Sequence, residues 1–388
     1  MKSRVLVSGA GIAGLSLAFW LKRFGIETLL VDRASRFEAL GHYISLKGNG
    51  VEVIRQMGLE GACRMKECRF TRLKMMRANG TLLRMGSQAE FDQTLGGYIL
   101  MQRSDLHAVL FEATKDHVDI RYGTQIKAMH DIGNAIEVEF SNERTDTFDL
   151  VIGADGIHSH TRKLAFGDGF ECLLGGQYIG LTEDYDHGLD TEYCLTYWGA
   201  GQMAALFPTA KTRLSAIFYY GDGGIEPAGR DNHSVRRFLL EAYKGFAPEV
   251  VNTVNALSDR DFVFMDAIAQ VQLPSIIKGR VALVGDAAHC PTFMSGMGSS
   301  LALQGARLLA FHLKECGNNI TAALSKYENE ITPIANRYRD SALQLRPLLL
   351  KRNAWISGMR NFAFRITPEW MMKRRIRHFF QAETLKAK

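Results

Sequence analysis

The chain has 388 residues, which exceeds the size at which a single hydrophobic core keeps growing, so about two domains are expected. Its composition, with 46% hydrophobic and 23% charged residues and 8 prolines, is typical of globular proteins and excludes disordered, collagen-like and coiled-coil classes. The six cysteines form no C-x-x-C pair, which argues against a disulfide framework or a zinc site and favours a reducing, cytoplasmic location.

The net charge of +6 is unevenly distributed. Residues 338–388 carry 12 Lys and Arg against 3 Asp and Glu, whereas the rest of the chain is slightly acidic. Because the basic residues are confined to this segment and accompany no recognised nucleic-acid motif, a nucleic-acid partner is not expected. Glycines interrupt the apolar run of residues 5–21 and no cleavage site follows it, so neither a secretory signal nor membrane insertion is expected.

The N-terminal segment has the pattern of a βαβ unit. Residues 4–8 and 26–31 are predicted strands, and residues 12–24 have apolar residues at helical spacing. Three glycines stand where the first strand turns into the helix and an acid ends the second strand: Gly9, Gly11, Gly14 and Asp32. This arrangement favours dinucleotide binding, with pyrophosphate at the helix N-terminus and ribose on the acid. The alternative is a glycine-rich turn in an α/β fold that binds no nucleotide.

Two further segments place a carboxylate directly after a hydrophobic strand, where open α/β sheets bind ligands. Asp155 follows one such strand and Asp286 follows another, which leads on to Gly296-Met297-Gly298. Each acid alone could be an ordinary turn residue. The three motifs, in this order and at these separations, resemble the group A flavoprotein monooxygenases, the para-hydroxybenzoate hydroxylase-like enzymes, over residues 1–315.

The resemblance implies a set of FAD-binding residues. They are Gly9, Gly11, Ala13, Gly14, Asp32, Arg33, Lys47, Arg103, Asp155, Arg162, Gly285, Asp286, Pro291, Gly296, Met297 and Gly298. Asp155 and Arg162 match positions that also handle NAD(P)H, which this family binds transiently without a domain of its own. Lys47 stands where an arginine is common, and the alternative for it is a solvated surface lysine. Many members have Gln and Asn at the positions of Met297 and Ser300, so only the backbone contacts of that loop carry over.

The family resemblance also implies a reaction. An enzyme of this kind uses NADPH or NADH and O2 to hydroxylate an electron-rich phenol or enol through a flavin C4a-hydroperoxide, and no protein residue is assigned as catalytic because the flavin carries the chemistry. His289 is interpreted as structural, with an acid/base role as its alternative. No metal is expected.

The basic helices predicted near the C-terminus look like those of the tetracycline destructases, so the first candidate substrate is a tetracycline antibiotic, whose inactivation gives resistance. Another polycyclic or polyketide phenol, or a small aromatic acid, is the alternative. A flavin-binding sensor or drug-sequestering protein without turnover, and a flavin reductase or dehydrogenase on the same fold, also stay open.

The expected fold class is α/β, with a Rossmann-like FAD-binding domain interleaved with a substrate domain built on an antiparallel β-sheet, plus C-terminal helices. The expected division gives residues 1–72, 97–170 and 267–335 to the FAD-binding domain, 73–96 and 171–266 to the substrate domain, and 336–388 to helices that bridge them. Strand positions suggest a set of substrate-lining residues: Thr182, Thr196, Phe207, Arg213 and Pro291.

A helix is predicted to start at Thr367-Pro368-Glu369. Its apolar residues, Trp370, Met371, Phe379 and Phe380, are expected to pack on the neighbouring domain, and attachment to a membrane surface is the alternative. The protein is expected to be a monomer.

Overall fold

The computed structural model describes residues 4–37, 42–221 and 227–380. The strands in these ranges are, in chain order, β1 (Arg4–Ser8), β2 (Glu27–Val31), β3 (Tyr43–Lys47), β4 (Arg72–Arg77), β5 (Leu82–Ser87), β6 (Tyr98–Gln102), β7 (Asp119–Arg121), β8 (Ile126–Asp131), β9 (Ile136–Phe140), β10 (Thr145–Phe148), β11 (Leu150–Gly153), β12 (Glu171–Asp184), β13 (Tyr193–Gly199), β14 (Gln202–Ala210), β15 (Arg213–Tyr220), β16 (Phe262–Val271), β17 (Ile277–Lys278) and β18 (Val281–Leu283). The helices are α1 (Ile12–Arg23), α2 (Asn49–Met57), α3 (Glu60–Met65), α4 (Gln88–Leu95), α5 (Arg103–Glu112), α6 (His160–Phe166), α7 (Asn232–Ala242), α8 (Pro248–Ala256), α9 (Asp286–His289), α10 (Gly298–Cys316), α11 (Ile320–Leu350), α12 (Ala354–Ile366) and α13 (Glu369–Phe380), with a 3-10 turn at Phe293–Ser295.

The first sheet has the strand order β17-β18-β11-β1-β2-β7, and its pairs are parallel except for the edge pair of β17 with β18. Its central strands are continuous apolar runs because both faces are covered. One face packs on α1 and α10, and the other packs on the three-stranded sheet of β8, β9 and β10. The predicted βαβ unit is therefore confirmed, with strand β1 at 4–8 and helix α1 ending one residue before the expected position.

The second large sheet has the order β16-β12-β15-β14-β13-β4-β5. The expected antiparallel sheet is found, with one difference: β4 pairs with β13 in parallel. These two strands come from distant parts of the chain, so no tight turn forces them to run in opposite directions. Helices α7 and α8 cover the outer face, and the inner face is turned towards β3 and the turn at Phe293–Ser295.

The C-terminal part is helical, as expected. Helix α10 lies between α1 and α11, and α11 contacts both β17 of the first sheet and β14 of the second. Helix α11 therefore joins the two large sheets. Helix α13 begins at Glu369, which confirms the predicted start.

The expected packing of the last helix is wrong for Trp370, which is 63% exposed. The side chains of Phe379 and Phe380 lie outside the described residues. Within the ranges that the structure describes, no helix combines the length and hydropathy needed to cross a bilayer.

Candidate functional site

A cavity of about 320 Å³ lies at the carboxyl ends of β1, β2, β11 and β18. This is the edge at which open α/β sheets bind ligands. The predicted site residues that line it are Gly9, Gly11, Ala13, Asp32, Arg33, Arg103, Asp155, Asp286 and Gly298. The others lie beside it rather than on its wall: Gly14, Lys47, Arg162, Gly285, Pro291, Gly296 and Met297.

The three glycines at the junction of β1 and α1 have different structural roles. Gly9 has φ +108°, and a Cβ there would lie 2.6 Å from the carbonyl oxygen of Ala154. A Cβ on Gly14 would lie 1.8 Å from the carbonyl oxygen of Gly9. Gly11 has φ −77° and no protein atom within 4 Å of its Cβ position, so the space there is open. Gly9 and Gly14 thus let the backbone close on itself, whereas Gly11 leaves room for a ligand.

Asp32 is held rigidly at the cavity wall. Its Oδ2 accepts from the backbone N–H of Ala10 at 2.7 Å and its Oδ1 from that of Ala34 at 2.8 Å. Each carboxylate oxygen keeps a second lone pair, so Asp32 can still accept from a ligand hydroxyl.

Asp155 and Arg162 both make hydrogen bonds within the protein. Asp155 caps α6, because Oδ2 accepts from both the N–H and the hydroxyl of Thr161 at 2.9 Å. The buried Arg162 guanidinium donates to the carbonyl of Ala287 at 3.1 Å and to the carboxylate of Glu171 at 2.6 Å. These contacts tie α6 to α9 and β12, and Arg162 also lines a second cavity beside the first.

The opposite end of the cavity is formed by two oppositely charged side chains and a helix terminus. Asp286 and Arg103 are both half-buried on the cavity wall, and Arg103 offsets part of the rise that desolvation causes in the pKa of Asp286. Helix α10 begins at Gly298, where a Cβ would lie 3.6 Å from Oδ1 of Asp286. No side chain in the described ranges caps α10, so its N-terminus presents backbone donors and partial positive charge.

Lys47 is not a solvated lysine. It is buried, and its Nζ donates to the carbonyl oxygen of Gly296 at 3.0 Å. Its backbone N–H donates to Oγ of Ser300 at 3.1 Å. Burial lowers the pKa of Lys47 to about 7. Ser300, one of the departures from the family pattern, therefore anchors β3 to α10.

His289 is buried at the C-terminal end of α9, and burial lowers its pKa to about 4. In the described part of the chain its Nε2 has no hydrogen-bond partner. A neutral histidine in this position fits the structural interpretation better than the acid/base one.

A cluster of aromatic rings, which we call the aromatic enclosure, lies on the inner face of the second sheet. It adjoins the Arg103 end of the cavity, because the backbone N–H of Arg103 donates to the carbonyl oxygen of His42 at 2.8 Å. We define it by five residues: His42, Tyr178, Tyr219, Phe264 and Phe293. The Phe293 ring is 4.1 Å from that of Tyr178 and 4.4 Å from that of Tyr219, between centroids. The His42 ring lies 4.8 Å from Tyr178 and 5.1 Å from Phe264. Burial lowers the pKa of His42 to about 3, so the enclosure is uncharged at neutral pH.

The residue before Phe293 has a strained backbone conformation. Thr292 is buried with φ +68°, which is unusual for a β-branched residue. The hydroxyl of Ser295 donates to the carbonyl of Thr292 at 2.8 Å and fixes the turn.

The comparisons with known proteins agree with this geometry. The model of the FAD binding domain family matches residues 2–342. The chain belongs to this family. A flavin-dependent monooxygenase from an unknown prokaryotic organism is 33% identical over 339 residues, covering 85% of this chain and 86% of the relative. The protein is an FAD-dependent monooxygenase.

Two solved structures share the fold. Tetracycline destructase Tet(55) is 25% identical, has a TM-score of 0.79, and matches over 99% of this chain and 98% of its own. HpxO of Klebsiella pneumoniae, solved with FAD and uric acid, has a TM-score of 0.84 at 23% identity and matches over 97% of this chain and 96% of its own. The relatives favour an enzyme over a flavin-binding protein without turnover.

The cavity of this monooxygenase fits FAD. Its pyrophosphate end has a glycine cradle that a Cβ on Gly11 would fill, beside the N-terminus of α1, which no side chain of the described residues caps. Its other end offers the half-buried Arg103 and Asp286 and the N-terminus of α10.

The structure places the five predicted substrate-lining residues in different surroundings. Phe207 lies on the inner face and stacks on Tyr43 at 5.1 Å. The Thr182 hydroxyl is bonded to that of Ser215 at 2.8 Å. Arg213 is at an exposed strand end. Of the remaining two, Thr196 makes hydrogen bonds within the sheet and Pro291 precedes the strained turn.

The set of substrate-lining residues predicted from the sequence does not include four residues of the enclosure: His42, Tyr178, Phe264 and Phe293. Period-two alternation could have found Tyr178, since Ile179 beside it faces the outer core and Tyr178 must then face inwards. Phe293 follows no such pattern, because a non-repetitive turn presents it.

Proposed function

We propose that this monooxygenase hydroxylates an electron-rich aromatic or enolised ring that enters the aromatic enclosure, with a tetracycline as the first candidate substrate. The observation that carries the proposal is the position of the enclosure, on the inner face of a large sheet and next to the Arg103 end of the FAD cavity. The likeness to Tet(55) along 99% of the chain supports a tetracycline. The uric acid bound to HpxO supports the alternative of a smaller heteroaromatic substrate.

In the proposed arrangement, Gly9, Gly11 and α1 would hold the pyrophosphate of FAD, and Asp32 would hold the ribose. Asp286 and Arg103 would bind the ribityl chain, and the N-terminus of α10 would supply backbone donors to the flavin. FAD supplies electron transfer from a nicotinamide to O2 and insertion of one oxygen atom into the substrate.

The residues of the chain position and shield the reaction. The five rings of the enclosure exclude water and orient a flat substrate by stacking. The backbone donors at Gly298 stabilise negative charge at the adjacent end of the cavity. The Lys47 contact with Gly296 keeps that loop in place.

NADPH or NADH is proposed as the transient co-substrate. A second cavity of about 400 Å³ adjoins the first and shares Arg33 with it. His160 and Lys163 also line it, which suits a phosphate-bearing ligand. A monomeric state and a cytoplasmic location are part of the same proposal, the latter supported by six free cysteines. The domain division predicted from the sequence also stays a proposal, supported by the strand membership of the two large sheets.

The test follows NADPH and NADH oxidation by the FAD-loaded protein with and without a tetracycline, together with the mass of the product. We expect oxidation to accelerate with substrate and the product to gain one oxygen atom. If a tetracycline changes neither rate nor mass while a smaller heteroaromatic compound changes both, the tetracycline assignment is wrong and the alternative stands.

A further inference from the structure

Helix α12 is packed with its polar side inwards. Its buried residues are Ser357, Arg360 and Asn361. Its large apolar residues are exposed: Trp355 by 73%, Met359 by 52%, Phe362 by 61% and Ile366 by 58%. These four positions are spaced four, three and four residues apart, so they line a single face of the helix. Together with Trp370 at the start of α13 they form what we name the apolar stripe.

Specific contacts fix this orientation of α12. The guanidinium of Arg360 donates to the carbonyls of Gly199 and Leu348, each at 2.9 Å, and lies 5.2 Å from the ring centroid of Trp198. At the end of the helix, Arg84 of β5 donates to the carbonyl of Thr367 at 2.8 Å. Rotating the helix to bury the stripe would break these bonds and expose the carbonyls they satisfy. The exposure of the stripe is thus built into the packing.

The surroundings of the stripe are basic. Residues 351–377 hold one acid, Glu369, which pairs with Lys373 in the next turn. Their exposed basic residues are Lys351, Arg352, Arg365, Arg374, Arg375 and Arg377. An apolar face with tryptophans, flanked by Lys and Arg, is the pattern of helices that lie in the interface of anionic lipid bilayers.

A second copy of this chain fits the stripe less well. A two-fold dimer brings the same patch of both copies together, so the basic residues of the two copies would face each other. An anionic lipid surface satisfies both features, because acyl chains receive the apolar residues and phosphates pair with the basic ones.

We propose that α12 and the start of α13 attach the enzyme to the surface of an anionic membrane, with the apolar stripe in the headgroup region. The attachment is peripheral, and it does not depend on which ring the enzyme hydroxylates. Since α12 packs on β13 and β5, it would hold the substrate sheet close to the lipid.

The test measures co-sedimentation of the full-length, FAD-loaded protein with vesicles of phosphatidylcholine alone or mixed with phosphatidylglycerol. We expect binding to the mixed vesicles that falls as salt is added. The double variant Trp355→Ser/Phe362→Ser should lose at least about tenfold in affinity. The matched control is Met65→Ser/Leu173→Ser, which removes side chains that are 82% and 71% exposed elsewhere, and it should bind as the unchanged protein does. Arg374→Gln/Arg375→Gln should reduce binding to the anionic vesicles and flatten its salt dependence.

Tryptophan fluorescence gives a second readout. Trp20 and Trp198 are buried or half-buried, whereas Trp355 and Trp370 are exposed, so insertion of the stripe should shift the emission to the blue. Unchanged FAD content and melting temperature would show that the variants fold. No vesicle binding, or equal binding to neutral and anionic vesicles, would overturn the proposal. A concentration-dependent dimer that the stripe variant abolishes, without vesicle binding, would assign the stripe to a second copy instead.

Discussion

The FAD cavity and the aromatic enclosure are adjacent but are built from different parts of the chain. The cavity is shaped by backbone: two glycines allow close approach, and helix termini supply the charge. The enclosure is shaped by side chains that arrive from separate segments, namely β12, β15, β16, the turn at Phe293–Ser295 and the residue before β3. One added methyl group can therefore destroy the first site, whereas a whole ring can be removed from the second without a backbone clash.

This difference has a functional consequence. A backbone-built site holds one cofactor and admits few substitutions at its glycines. A side-chain-built site can be reshaped without disturbing the cofactor, which suits a fold shared by a tetracycline destructase and by a protein solved with uric acid bound.

The largest effect is expected for Gly14→Ala. Its Cβ would lie 1.8 Å from the carbonyl oxygen of Gly9, so the turn must open. We expect FAD affinity to fall by about a hundredfold or more, measured by flavin fluorescence on titration into apoprotein. Gly11→Ala, whose Cβ meets no protein atom within 4 Å, should leave the apoprotein folded and weaken only FAD binding.

The control for this pair is Gly61→Ala, a helical glycine whose Cβ position also has no atom within 4 Å. Gly61→Ala should change neither the affinity for FAD nor the folding of the apoprotein. Equal FAD affinity for Gly14→Ala and Gly61→Ala would show that the close backbone approach at Gly14 is not needed for FAD binding.

A smaller effect, confined to the enclosure, is expected for Phe293→Ala. Removing the ring that contacts Tyr178 and Tyr219 enlarges the pocket, so kcat/KM should shift by about tenfold between a small and a large aromatic substrate while FAD affinity stays constant. Phe293→Leu keeps most of the apolar volume, so its kcat/KM ratio between the two substrates should lie between those of the unchanged protein and Phe293→Ala. A parallel loss for every substrate would mean that Phe293 supports the loop rather than the pocket.

The same contrast explains what the sequence could predict. Gly9 and Gly14 could be predicted because backbone geometry restricts residue type, and such restrictions leave a motif at fixed spacing. The helix start at Pro368 was identifiable for the same reason. Asp286 was predicted from its place after a hydrophobic strand and from the family resemblance.

Side-chain packing leaves a weaker signal. Phe293 and His42 reach the enclosure from segments outside the regular strands, so no periodicity marks them. The inward polar face of α12 was also missed, because apolar residues at helical spacing give the same pattern whether they face the core or the solvent. Arg360, whose contacts decide the orientation, looks like any surface arginine in the sequence.

Lys47 of β3 contacts the loop that precedes α10, and its replacement should raise the stability of the protein while lowering its affinity for FAD. Its pKa is about 7 in the folded protein against 10.5 ordinarily, so between these values the unfolded state binds more protons and stability rises with pH. Lys47→Met should raise the melting temperature of the apoprotein at pH 7 by about 2 °C or more. It should also reduce the increase in melting temperature that the unchanged protein shows between pH 7 and pH 10. It should also weaken FAD binding several-fold, since Gly296 loses its donor.

The exposed Lys326 provides the control, and Lys326→Met should change neither the melting temperature nor the affinity for FAD. A melting temperature lowered by Lys47→Met would show that its hydrogen bonds outweigh the burial of its charge.

The smallest effect concerns Glu183 of β12, on the outer side of the second sheet, away from both sites. In the described ranges its carboxyl oxygens have no hydrogen-bond partner, and burial, aided by Asp261, raises its pKa to about 8. The folded state then holds a proton that the unfolded state has lost, so the free energy of unfolding falls as the pH rises from about 4.5 to about 8. Glu183→Gln should remove this decline in melting temperature, whereas Glu137→Gln, on an exposed strand position, should keep it. Because the change lies in the core behind the sheet, FAD affinity and the preference among substrates should stay the same at every pH. A change in substrate preference would mean that the outer core of the sheet transmits its packing to the enclosure.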